Sequence, residues 1–308
     1  MAKKTALLYA HLALLAVNMI YGANYVIAKG VMPAKLSPNA FILLRVIGAV
    51  SLFWLIFAFR REKVALKDLL RMALCGLFGV AINQLFFFNG LNLTSPINAA
   101  IIMTANPILV LVLAALLIKE KVTGPKVTGI LLGFAGAVAL TLLSVNSSRS
   151  ASFEGDFFVF INAVSYGIYL VLVKPLMSKY KPITVISWVF LFGLIYVLPF
   201  GFEELIQSPW ETYSTATVLR IVYVVFAVTF LTYLLNIYAL KTVTASVSSS
   251  YIYLQPIMSA SAAVIFSWYG LEDYTGEITW LKGLCAAAIF VGVYLVSRRP
   301  KKTRKPRK

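Results

Sequence analysis

Residues 97–118 read INAAIIMTANPILVLVLAALLI, and residues 246–269 read SVSSSYIYLQPIMSASAAVIFSWY. Each run is long and apolar enough to cross a hydrocarbon core about 30 Å thick. Each carries a proline directly after a carboxamide: Asn106-Pro107 in the first, Gln255-Pro256 in the second. The two prolines stand 149 residues apart. Small and hydroxyl residues precede both runs. An acidic residue, Glu120 or Glu272, follows each. Then comes a glycine-bearing apolar helix, with Gly129, Gly133 and Gly136 in one copy and Gly283 and Gly292 in the other. The chain therefore repeats itself at a distance of about half its length.

Working outward, the same apolar character fills the rest of the 308 residues. Hydrophobic residues make up 60% of the chain and charged residues 13%. Soluble domains run near 45–50% apolar and about 25% charged, so lipid is the solvent this composition fits. Apolar runs predict spans at 7–29, 38–59, 69–90, 97–118, 125–145, 156–175, 184–206, 218–240, 246–269 and 280–297. The first lacks a small-residue cleavage site and reads as a retained helix. Cys75 and Cys285 both fall inside predicted helices, where small buried residues are the expectation.

Basic residues set the orientation. With the N-terminus cytoplasmic, both chain ends and the even-numbered loops are inside. They hold 22 of the 28 Lys and Arg residues, eight of them in the tail 298–308. This is the positive-inside pattern. It predicts an integral protein of a bacterial inner (cytoplasmic) membrane with N- and C-termini cytoplasmic. The formal charge of +17 then reads as topogenic charge, with anionic lipids as partners of the basic tail and no nucleic acid. A monomer or weak homodimer is expected.

Ten spans divide into two sets of five. Five is odd, so the second set enters the membrane from the opposite side and the repeats are inverted. The expected fold is an all-α membrane protein of ten transmembrane helices, two inverted five-helix repeats around a central cavity. Residues 1–148 form the first repeat, 149–297 the second, and 298–308 the tail.

Taken together, Tyr21-Gly22-Ala23-Asn24-Tyr25, Arg45, the Asn106-Pro107 helix and the Lys119-Glu120-Lys121 turn resemble the EamA-type branch of the drug/metabolite transporter superfamily. The resemblance covers about residues 7–297. It implies ten helices around a cavity and the export or exchange of small metabolites. The second half departs from the first, with Tyr253 and Gln255 where the first has Thr104 and Asn106, so a strictly symmetric site is not expected.

Polar side chains within spans face the bundle interior or a wet cavity. Those singled out for substrate binding are Asn24, Tyr25, Arg45, Asn83, Asn98, Asn106, Tyr166, Tyr169, Tyr233, Asn236, Tyr253 and Gln255. Pro107 and Pro256 are the expected helix breaks and gating points, because a mid-helix proline frees a carbonyl. Polar stripes on spans three and eight also include Gln84, Thr229 and Thr232. The competing reading for each Asn, Ser or Thr is helix–helix packing. Arg45, about two turns into span two, needs a partner: a carbonyl, an anionic substrate group or a lipid phosphate.

No Asp or Glu lies deep in any predicted span, and the single His11 sits near the start of span one. Proton-driven carriers often use such groups, so exchange or facilitated diffusion is expected over obligatory proton coupling. With one His, no Cys/His cluster and no phosphate-binding loop, an enzyme, a metal site or a cofactor is not expected. A nucleotide-sugar or phosphate-ester exchanger is the alternative transporter, although it calls for more cavity cations. A membrane sensor or scaffold is the alternative class.

Overall fold

The structure is a computed structural model, describing residues 2–29, 36–59, 62–93, 102–143, 152–255, 257–258, 261 and 280–297. The described helices are α1 (Ala2–Lys29), α2 (Pro38–Ala58), α3 (Leu66–Leu93), α4 (Asn106–Ile118) and α5 (Gly124–Leu143). They continue with α6 (Phe153–Val173), α7 (Pro182–Ile206), α8 (Thr215–Leu240), α9 (Ala245–Ser250) and α10 (Trp280–Ser297). Each expected span contains a described helix, although 97–101 of the fourth, 144–145 of the fifth and 256, 259–260 and 262–269 of the ninth lie outside the described residues. Among the described residues, six helices are long and apolar enough to cross a membrane, and three shorter apolar helices, 106–118, 124–139 and 283–297, accompany them. Exposed Leu55, Leu116, Phe157, Phe200 and Phe226 form the kind of surface that only lipid solvates cheaply.

Local chemistry sets the helix ends. Ser37, Ser152, Ser214 and Thr244 sit just outside α2, α6, α8 and α9 and accept from backbone N–H groups three residues on, which satisfies donors a helix start leaves free. Pro38 and Pro182 occupy first helical positions, where the missing N–H costs nothing. Lys119 ends α4 in the left-handed region at φ 55°, and Glu120 N–H donates back to the Ala114 carbonyl at 3.0 Å, a hydrogen-bonded helix stop.

Helix partnership crosses the middle of the chain. α2 packs on α7, α5 on α10, α4 on α9, α3 on α6 and α1 on α8. Adding five to every label returns the same five pairs, which is what a pseudo-two-fold relation between halves requires. Close approach comes from glycines. A Cβ on Gly129 would lie 2.6 Å from the Gly292 carbonyl oxygen, and one on Gly292 would lie 2.6 Å from that of Gly129. At the α3–α7 crossing, a Cβ on Gly76 would lie 2.6 Å from the Val189 carbonyl oxygen.

The third helix of each half departs from α geometry at one place. α3 becomes a π-helix over Leu77–Ile82 and α8 over Val224–Leu231. Their last residues are 149 residues apart, the interval of the proline-bearing runs. π segments insert a residue into an α-helix, and they recur at functional sites.

Buried apolar residues form two clusters. One joins α2, α3, α6, α7 and α8 through Phe41, Val80, Tyr169, Phe190 and Tyr233. The other joins α1, α4, α5, α9 and α10 through Leu14, Leu111, Ile130, Val247 and Ile289. Each cluster mixes residues from both halves.

Candidate functional site

The buried polar residues centre on α8. Thr229 and Thr232, at and just after its π segment, and Tyr233 and Asn236, one turn further, are all buried. Thr229 Oγ1 accepts from Arg45 Nε on α2 at 3.0 Å and donates to the Val224 carbonyl at 2.8 Å. Thr232 Oγ1 lies 3.2 Å from Tyr21 Oη on α1. Tyr233 Oη donates to the Gly79 carbonyl, inside the π segment of α3, at 3.1 Å. Asn236 Nδ2 donates to Tyr166 Oη on α6 at 2.6 Å, and its Oδ1 accepts from Ser248 on α9 at 2.8 Å. One helix thus holds five others by polar contacts.

Four tyrosines surround this line. Tyr166 and Tyr169 stack obliquely with ring centroids 5.9 Å apart. Tyr21 joins the line through Thr232, and Tyr233 lies on α8 itself, bonded to Gly79. Gly79 lets Tyr169 pass, since a Cβ there would lie 2.3 Å from its ring. Arg45 itself is 5% exposed. Its guanidinium stands 4.8 Å from the ring centre of Phe88 and 5.4 Å from that of Phe41, within cation–π range. Its Nη1 is buried without a hydrogen-bond partner.

The structure therefore brings together Arg45, Tyr166, Tyr169, Tyr233 and Asn236 of the expected binding residues, and adds Tyr21, Thr229 and Thr232. Others fall elsewhere. Asn106 Nδ2 donates to the Ala163 carbonyl at 2.8 Å and staples α4 to α6, although its Oδ1 has no partner. Asn83 contributes its carbonyl, which accepts from Asn162 at 2.6 Å. Gln255 donates to Asn18 Oδ1 on α1 at 3.2 Å. Tyr253 is buried in the second apolar cluster against Gly133 of α5, whereas Tyr169 and Tyr233 belong to the first. Asn24 is half-buried with Oδ1 unpartnered. Asn98, Pro256 and the side chain of Tyr25 lie outside the described residues.

At the Asn106-Pro107 step Ile102 and Met103 are helical, the chain turns at Thr104 and Ala105, and α4 begins at Asn106 with Pro107 in its first turn. A proline is well tolerated at that position.

One end of the bundle, where the α2–α3, α4–α5, α6–α7 and α8–α9 loops lie, is tied by charge. Lys179 pairs with Asp68 at 2.9 Å, and Lys126 with Glu120 at 2.6 Å. Lys174 donates to the carbonyls of Leu240 and Val243. At the other end Glu204 of α7 accepts from Ser37 and from Asn39 Nδ2, the latter at 2.9 Å.

These features define a membrane-embedded helical bundle of two related halves with a polar, aromatic centre. Residues 8–142 and 153–298 each match the EamA-like transporter family, and the chain belongs to that family. An uncharacterized transporter of Archaeoglobus fulgidus is 31% identical over 86% of this chain and 90% of its own length. A WAT1-related protein of Arabidopsis thaliana is 26% identical over 93% of this chain and 84% of its own. A protein of known crystal structure superposes with a TM-score of 0.71 at 16% identity, covering 93% of this chain and 95% of that one. The last likeness speaks to the fold alone.

Proposed function

We propose that this protein is an alternating-access transporter of small organic metabolites, such as amino acids or drug-like compounds, working as an exporter, exchanger or facilitator. The observation that carries the reading is the composition of the polar centre. Tyr21 and Arg45 come from the first half and Tyr166, Tyr169, Thr229, Tyr233 and Asn236 from the second. A solute held there is held by both repeats at once, so a relative movement of the halves re-aims its exit. We place the loop end tied by Lys174, Lys126 and Lys179 in the cytoplasm, with residues 1–148 and 149–297 as the repeats.

The centre is suited to exchange or facilitated diffusion. Among the described residues the acidic side chains, Glu62, Asp68, Glu120, Glu154, Asp156, Glu203, Glu204 and Glu211, all lie toward helix ends or in loops. A phosphate-ester exchanger fits less well, because the Lys174 ammonium is occupied by backbone carbonyls.

Flux into liposomes containing only this chain tests the proposal. Solute-specific counterflow that survives collapse of ΔpH is expected. Flux abolished by collapsing ΔpH alone would establish proton coupling instead, and a chain that moves no solute would be a sensor or scaffold.

A further inference from the structure

We infer that Arg45 is the anion subsite of the polar centre and that the substrates of this protein carry a carboxylate. The inference rests on the transporter reading above and narrows it to a chemical class.

Arg45 is 95% buried in the interior of the bundle. Its Nε–H is committed to Thr229 and its ring-facing surface to Phe88 and Phe41. Nη1 has no partner. Among the described residues the two ion pairs, Lys126–Glu120 and Lys179–Asp68, involve other residues at the bundle end. A permanently charged group in the span region without a counter-charge is costly, and aromatic faces offset only part of that cost. A guanidinium with an unpartnered outer nitrogen keeps the planar donor fork that matches a carboxylate in two parallel bonds. Substrate would supply the missing counter-charge.

The neighbours select a carboxylate over a phosphate. Among the described residues, the side chains in hydrogen-bond or ring contact with Arg45 are Thr229, Phe41 and Phe88, none of them a cation. A dianion asks for more than one cation, whereas a carboxylate is matched by one. The tyrosine rings offer apolar faces for the rest of the solute and accept an ammonium over their faces. A zwitterionic amino acid is therefore accommodated as readily as a simple monocarboxylate. Nη1 is covered in this conformation, so the carboxylate reaches it only after neighbouring side chains move.

The test compares matched pairs on the purified full-length protein: L-amino acids and 2-hydroxy acids, each against its own carboxamide. Thermal-shift titration reads binding, and counterflow in liposomes, corrected with empty vesicles, reads transport. At least one acid is expected to bind tenfold or more tighter than its amide. Arg45→Gln is expected to erase that preference, and Arg45→Lys, which keeps the charge but not the fork, to retain part of it. The wild-type acid/amide ratio needs no variant, so it stands even if Arg45→Gln fails to fold. Amides bound as tightly as acids, or an Arg45→Gln protein within twofold of wild type on acids, overturns the carboxylate subsite. If only amides, amines or neutral solutes are moved, the subsite falls and the transporter reading stands. If nothing on the panel is moved, both fall.

Discussion

Asn236 joins three helices with one carboxamide, giving a hydrogen to Tyr166 and taking one from Ser248. Truncation to alanine leaves both hydroxyls short of a partner in a dry place. Such a loss costs about 1–3 kcal/mol in proteins generally and nearer 1 kcal/mol between membrane helices. Asn236→Ala is therefore expected to lower the unfolding midpoint in mixed micelles modestly while reducing counterflow strongly, because Tyr166 is no longer held. Equal counterflow in the variant would remove Asn236 from the site. The contrast with Tyr253 shows how far side chains could be read in advance. Both are polar residues deep in apolar runs, and the pattern of spacing ranks them alike. Their difference lies in which neighbour their helix meets, α6 for one and α5 for the other. The same holds for Thr229, which sits on a visible polar stripe but gains its meaning from Arg45, 184 residues away. Asn106 is the reverse case: its position at a proline suggested the site, and its amide instead spends a hydrogen on the Ala163 carbonyl.

Helices were legible because apolar length is a local property, and most described helix ends lie close to the boundaries that the apolar runs mark. The π segments of α3 and α8 were not legible, since an inserted residue leaves composition unchanged. Their effect is geometric. Each residue of an α-helix turns the chain by about 100°, so one extra residue re-aims everything after it. Deleting Ala227 from the π segment of α8 is expected to rotate Tyr233 and Asn236 away from Gly79 and Tyr166. Folded, membrane-inserted protein with counterflow lost is the anticipated result, and undiminished counterflow would show that the segment is not needed. The glycine contacts give a second test. Gly129→Val drives a branched side chain against the Gly292 backbone, and overpacking of this kind costs about 1–3 kcal/mol. Gly283 has open space around its missing Cβ, so Gly283→Ala is expected to leave the stability unchanged or raise it by up to about 1 kcal/mol. Denaturation in mixed micelles compares the two.

The five helix pairs described above and both apolar clusters run between the halves. A repeat expressed alone, 1–148 or 149–308, is therefore expected to accumulate poorly, and the two expressed together to copurify. Stable, monodisperse single halves would contradict this. The doubling was visible in the proline-bearing runs, but the partnership was not, because sequence order says nothing about which helices touch. The partnership also has a consequence for synthesis. When the ribosome finishes α5, none of α1 to α5 has met its main partner, and Arg45 has neither Thr229 nor any other α8 group beside it. With about 150 residues still to come at about 5–20 residues per second, the nascent half waits on the order of ten seconds in the bilayer. Gly129 of α5 and the Arg45 guanidinium lack their contacts throughout. Slowing translation beyond residue 149 is therefore expected to lower the yield of folded protein, which pulse-chase labelling would read.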